Sequence, residues 1–220
     1  MTLIGTDVAN LLLGRHIFRE SEKLISKNRK LRGVFTRRLA INYAYYSVVG
    51  IRRAVDNDPR AISFANLLRE MIAHSDAISR TTVCLPTVID YESMKKRQRR
   101  ARHGLKEFTN FRLSLVLEFF DPLSQEDRLD IRRVQHDLSL LRSKAKNLER
   151  FASKRIAHSD EIRPDRIRYS EIDQALDTLN SLMRKYFRLL DLGDWRQRGA
   201  EFERRFPGWK RVFEAPWNIQ

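Results

Sequence analysis

Residues 170–190 read SEIDQALDTLNSLMRKYFRLL, and the spacing of their apolar positions decides the fold. Ile172, Leu176, Leu179, Met183, Tyr186 and Leu190 recur at steps of three and four, which lines them along one side of an α-helix. The same period returns upstream in Ile131, Val134, Leu138, Leu141, Ala145 and Leu148, and again in Phe64, Leu67, Leu68, Met71 and Ile72. It recurs a fourth time in Ile41, Ala44, Val48, Ile51 and Val55, where Pro59 closes the pattern. Ser170 followed by Asp173, and Ser124 followed by Asp127, resemble capping boxes and predict where the two later helices start. Asp7 is the cap expected for a first helix running from roughly Val8 to Ser26. Residues 80–90, with β-branched side chains and Pro86, read as a loop or short extended piece, and residues 162–168, with Pro164, as a connection. No solenoid-length repeat is present. The expectation is an all-α fold, a single bundle of about six or seven helices over residues 1–220. Residues 194–220 form an aromatic-rich tail (Trp195, Phe202, Phe206, Trp209, Phe213 and Trp217) expected to pack on that bundle, with base stacking as the alternative use of the rings.

Charge narrows the function. The 220 residues hold 43 Lys and Arg against 28 Asp and Glu, a formal charge of +15, which attracts polyanions. The run Lys95-Lys96-Arg97-Gln98-Arg99-Arg100-Ala101-Arg102-His103 contains no acid. On a helix it would spread charge around most of the circumference, so it must face solvent. Lys27, Arg29, Lys30, Arg32, Arg37 and Arg38 make a second cluster. Phosphate contact is expected for at least one of them, a solvated surface or an acidic protein partner being the alternatives. A lone cysteine, Cys84, excludes a disulfide within the chain and a cysteine-based metal site. His16, His103 and His136 lack the paired spacing of metal ligands, no glycine-rich phosphate loop occurs, and no serine-nucleophile elbow occurs. Neither a metal nor a cofactor is expected. Met1 to Asn10 lacks the pattern of a signal peptide, and no apolar run approaches the ~20 residues of a membrane span, so a cytoplasmic location is expected.

One segment carries more chemistry than the rest: Leu148-Glu149-Arg150-Phe151-Ala152-Ser153-Lys154-Arg155-Ile156-Ala157-His158-Ser159-Asp160. A basic helix end followed by histidine resembles the signature of the HEPN superfamily (higher eukaryotes and prokaryotes nucleotide-binding). Val49–Asp56, Ala61–Leu68 and Trp209–Trp217 are similar, in the same order, to stretches of its AbiU-type abortive-infection branch. The resemblance implies metal-independent endoribonuclease activity of a toxin or phage-defence kind, in a homodimer whose two motifs meet across the interface, with RNA as partner and an antitoxin as a further one. It implies that His158 moves the protons as an RNA 2′-hydroxyl attacks the adjacent phosphate, while an arginine stabilises the phosphoryl charge. Imidazole titrates near neutrality and guanidinium presents a fork of donors to phosphate oxygens, so the division of labour is sound.

The sequence departs from the family at one position. Ala152 stands where the branch has its arginine, six residues before the histidine. Arg155 and Arg150 are the arginines left to supply the charge, with Lys154 beside them on the nucleic-acid-binding side together with Lys95, Lys96, Arg97, Arg99, Arg100 and Arg102. A missing transition-state charge commonly costs two or three orders of magnitude in rate, so a non-catalytic RNA-binding or regulatory module is the alternative, and a protein-interaction bundle a third. Arg69-Glu70-Met71-Ile72-Ala73-His74-Ser75-Asp76 repeats the Ile-Ala-His-Ser-Asp string with arginine and histidine at the family's spacing, but early in the chain. Arg69 and His74 are therefore a second candidate pair, against which stands a plain helix-surface role.

Overall fold

Helices form where the apolar period runs. The computed structural model describes residues 2–27, 33–79, 119–120, 128–157, 167–190 and 198–211. Among these are six α-helices: α1 (Thr2–Lys27), α2 (Val34–Ala54), α3 (Phe64–Ala73), α4 (Ile131–Phe151), α5 (Tyr169–Leu189) and α6 (Arg198–Arg205). A 3₁₀ turn, Ser75–Ala77, follows α3, and a π-helical turn, Ala152–Ala157, extends α4. The described residues contain no strand, only an isolated antiparallel bridge between Ser79 and Arg128. The all-α bundle expected from periodicity is what the chain builds.

The helix starts differ from the expectation, for reasons of hydrogen bonding. Asp7 lies inside α1 rather than capping it, and its carboxylate pairs with Arg53 of α2 at 3.1 Å. α4 begins at Ile131, later than a cap at Ser124 would place it, because Asp130 accepts the Arg132 N–H at 3.0 Å; Ser124 and Asp127 lie outside the described residues. Ser170 is already within α5. The donor left free at that end is the Arg168 N–H, and Glu171 reaches back to accept it at 2.8 Å. At α3 the cap is Ser63, which accepts from the Asn66 N–H at 3.0 Å and donates to the Asp56 carbonyl at 2.8 Å.

α1 and α2 cross closely along a ladder of contacts. Asp7 meets Arg53, Leu11 lies against Gly50, Gly14 against Tyr46, and Phe18 stacks on Tyr43 with ring centroids 4.1 Å apart. Numbers rise along α1 as they fall along α2, so the pair is antiparallel. A Cβ on residue 50 would lie 2.3 Å from a Leu11 methyl, so the approach depends on glycine there. α2 also packs on α4 and α5, α3 packs on α4, and α4 on α5. The core so enclosed includes Phe64, Leu68, Leu141, Leu148, Leu176 and Met183, each at most 2% exposed. At its polar centre Asp137 of α4 accepts from the Tyr186 hydroxyl and the Lys185 ammonium of α5, both at 2.9 Å.

The tail reaches α1. His16 pairs with Glu203 at 3.0 Å, and Lys210 donates to Glu20 at 2.8 Å. Phe202 contacts Phe206 and Trp209, but Phe206 remains 50% exposed. Polar ties on α1, with a small aromatic cluster beside them, hold this segment. Trp195, Phe213 and Trp217 lie outside the described residues.

Candidate functional site

α4 sorts its side chains by burial. Val134, Leu138, Leu141, Ala145 and Leu148 face the core. At 100° per residue the opposite side carries Arg132, His136, Lys146 and Arg150, all exposed, and exposed Lys154 follows in the π-turn. The two acids of this stretch are turned elsewhere: Asp137 is buried and Glu149 half-buried. The solvent side of α4 thus gathers three cations a turn apart at its C-terminal end, Lys146, Arg150 and Lys154, over about 12 Å, with Arg132 near the start. Cations at that spacing suit adjacent phosphates of a single strand.

At the same end the helix changes register. π-turns of this kind are rare and concentrate at functional sites. Ala152, which opens the turn, is 1% exposed and belongs to the core. The position where the HEPN-like pattern has an arginine is therefore a packing position in this chain. Arg150 and Lys154, on either side of it, face solvent. The Arg155 backbone lies within the π-turn, while its side chain lies outside the described residues, as do His158 and the run Lys95 to Arg102.

An aromatic surface adjoins this helix end. Phe151 meets Tyr45 of α2 with ring centroids 6.3 Å apart, and Tyr45 is 41% exposed. Tyr45 and its neighbour Tyr46 line a cleft of about 410 Å³ between α1 and α2, walled by Ile4, Val8, Gly50 and Ile62. Burial and nearby Asp7 push the Tyr46 phenol above its ordinary range, so it stays neutral.

The early candidate pair is not brought together. His74 is exposed and faces Glu70 across 3.4 Å. Arg69 points to the α2–α3 turn, where its guanidinium donates to the carbonyls of Asn57 at 3.1 Å and Asp56 at 3.3 Å, and to Asn57 Oδ1 at 2.7 Å. A second guanidinium, from Arg142 of α4, donates to that same amide oxygen at 2.6 Å. Two positive charges thus share one neutral acceptor. At about 5 Å apart and an effective dielectric of 20 such charges repel by about 3 kcal/mol. Neither arginine forms an ion pair among the described residues, and the Nε of each is buried without a hydrogen-bond partner. The carboxyl of Glu149 lies near Arg142 and Arg52, yet burial pushes its pKa above the ordinary value. Sequence reading singled out Arg69 but missed Arg142 and Asn57. The Asp56-Asn57-Asp58-Pro59 string signals a turn, but nothing in the sequence pairs it with position 142.

No group of His, Cys, Asp or Glu among the described residues is arranged to hold a metal ion, and none of their helices is long and apolar enough to cross a membrane. Comparison of the chain with protein-family models, with curated proteins and with solved structures finds no match.

Proposed function

We propose that this protein is a HEPN-like RNA-binding bundle that cleaves RNA without a metal, acting as a homodimer of toxin or phage-defence kind with His158 as the proton-transfer residue. The observation that carries the RNA part is the convergence at the end of α4. Exposed Arg150 and Lys154, a break in helical register, and the exposed Tyr45 ring against Phe151 meet there. Cations that follow a phosphate backbone beside an aromatic face that stacks bases are the general means of holding a single strand. The cleavage part is supported by the Ile-Ala-His-Ser-Asp segment, whose first two residues, Ile156 and Ala157, end the π-turn, with Arg150 and Arg155 as the cations at hand.

The test is single-stranded RNA incubated with the purified protein in EDTA. The expected products end in 2′,3′-cyclic phosphate, and His158→Ala is expected to bind RNA without cutting it. Equal cutting by the His158→Ala protein would remove that residue from the mechanism.

The buried Ala152 favours a second reading, an RNA-binding module without catalysis, because the family's arginine position is here part of the core. It expects tight, salt-sensitive binding and no product under any condition.

A further inference from the structure

We infer that Arg69 and Arg142 form a separate phosphate-binding site at the α2–α3 turn, in which a phosphate oxygen takes the place of the Asn57 amide oxygen between the two guanidiniums. Three observations carry it. Two guanidiniums from different helices converge on one neutral oxygen, at 2.7 and 2.6 Å, with no carboxylate within ion-pair distance of either among the described residues, Glu149 being near Arg142 without pairing with it. Each has an Nε donor that is buried and unpaired, so the hydrogen-bonding capacity of the pair exceeds what the protein supplies. The group occupying the focus, Asn57, is exposed and sits in a turn, so its side chain can swing outward.

Phosphate suits this place on chemical grounds. A guanidinium presents donors in a planar fork that matches two oxygens of a tetrahedral oxyanion, and an anionic acceptor adds ion-pair attraction that a neutral amide oxygen cannot supply. An oxyanion between the two forks also cancels the repulsion that the amide leaves in place. The backbone on either side is already fixed. Asn66 donates to the carbonyls of Asp58 and Ala61 at 2.6 Å each, and Ser63 caps α3. About 15 Å of helix separates Arg142 from the π-turn, so the site is distinct from the helix end and does not depend on cleavage there.

The experiment is thermal unfolding of the full chain titrated with inorganic phosphate, against sodium chloride of matched ionic strength. Phosphate is expected to raise the midpoint saturably, beyond chloride, in the wild type. In Asn57→Asp a carboxylate of the chain itself occupies the focus, so the midpoint in chloride is expected to rise and the specific phosphate response to disappear. Arg142→Gln is expected to lose the response as well. No phosphate response beyond chloride in the wild type overturns the site. So does a response of equal size in the wild type and in Asn57→Asp, which would assign it to the basic surface at large. A single-stranded RNA dodecamer then identifies the source of the phosphate. If the source is a strand backbone, Asn57→Asp weakens RNA binding and lowers the salt dependence of its logarithm by about one. If RNA affinity is unchanged while the phosphate response is lost, the ligand is a small phosphate compound. Both readouts are independent of RNA cleavage.

Discussion

The phenol of Tyr186 on α5 donates to Asp137 of α4 at 2.9 Å, inside a core where Tyr186 itself has no exposed surface. The same carboxylate oxygen accepts from Lys185, whose ammonium also lies 4.4 Å from the Phe119 ring centroid. Removing the hydroxyl with Tyr186→Phe deletes one bond to a charged acceptor and leaves the ring in place. The expected cost is about 2 kcal/mol. Asp137→Ala removes the acceptor that the Lys185 ammonium and the buried Tyr186 hydroxyl share, and is expected to cost more, about 3 kcal/mol. Urea unfolding with an unchanged slope checks both, and the order of the two variants is the decisive point.

Two glycines on the α1–α2 crossing are expected to respond oppositely to alanine. In each case alanine contributes up to about 1 kcal/mol of helix propensity. At Gly50 the new methyl would sit 2.3 Å from one Leu11 methyl and 2.9 Å from the other and from Cγ, so the whole end of a side chain that is 3% exposed must shift. Overpacking of that kind costs about 1–3 kcal/mol, so Gly50→Ala is expected to destabilise. At Gly14 the nearest atom, 3.1 Å away, belongs to the half-exposed Tyr46 ring, which can tilt, so Gly14→Ala is expected to be neutral or stabilising. Thermal midpoints of the two single variants decide the matter.

Ala152→Arg places a guanidinium at a position that is 1% exposed. Burying an unpaired charge costs several kcal/mol, so this variant is expected to unfold at markedly lower denaturant and to gain no RNA cleavage. By contrast, Arg150→Gln and Lys154→Gln alter exposed side chains. They are expected to leave stability within about 0.5 kcal/mol and to lower the salt dependence of RNA binding by about one each. A stable Ala152→Arg protein that gains cleavage would show that this position opens toward substrate after all.

Two carboxyl groups set opposite pH dependences. Hydrogen bonds from Lys210 and Lys23 hold Glu20 down to about 2, against an ordinary 4.5. What Glu20 contributes is therefore fully present above pH 4.5 and is lost as the pH falls toward about 2. Hydrogen-exchange protection across residues 198–211, corrected for the intrinsic pH dependence of amide exchange, is expected to fall over that interval, and Lys210→Met to weaken the dependence. Glu149 runs the other way, because burial raises its pKa. Its favourable contribution is complete below 4.5 and fades as the pH climbs through the raised value. Glu149→Gln is expected to raise the unfolding midpoint at neutral pH and to leave it unchanged in acid.

Burial in the helices was legible in the sequence because the three-and-four spacing records which side of each helix meets the others. Val134, Leu141 and Leu148 on α4, and Ile172, Leu179 and Tyr186 on α5, are buried as that spacing requires. Asp137 breaks the apolar pattern and is buried nonetheless, since its partners Tyr186 and Lys185 come from a different helix and period alone cannot supply them. Helix starts were less legible. Serine three residues ahead of an acid is a common string, and the backbone donors that needed acceptors were found instead by Asp130 and Glu171. At the candidate sites, exposed cations can be read from charge runs. The burial of Ala152 and the meeting of Arg69 with Arg142 arise from tertiary packing, and no local rule encodes them.

The contact of Lys210 with Glu20 joins residues 190 positions apart, whereas the α1–α2 ladder links neighbours in sequence. During synthesis the hairpin can therefore zip while the ribosome is still far upstream of the codons for α6. His16 and Glu20 meet Glu203 and Lys210 only after those residues have emerged, and until then Glu20 has its neighbour Lys23 within the same helix. The late segment is thus tied to the early helix through charged side chains, contacts that moderate salt screens.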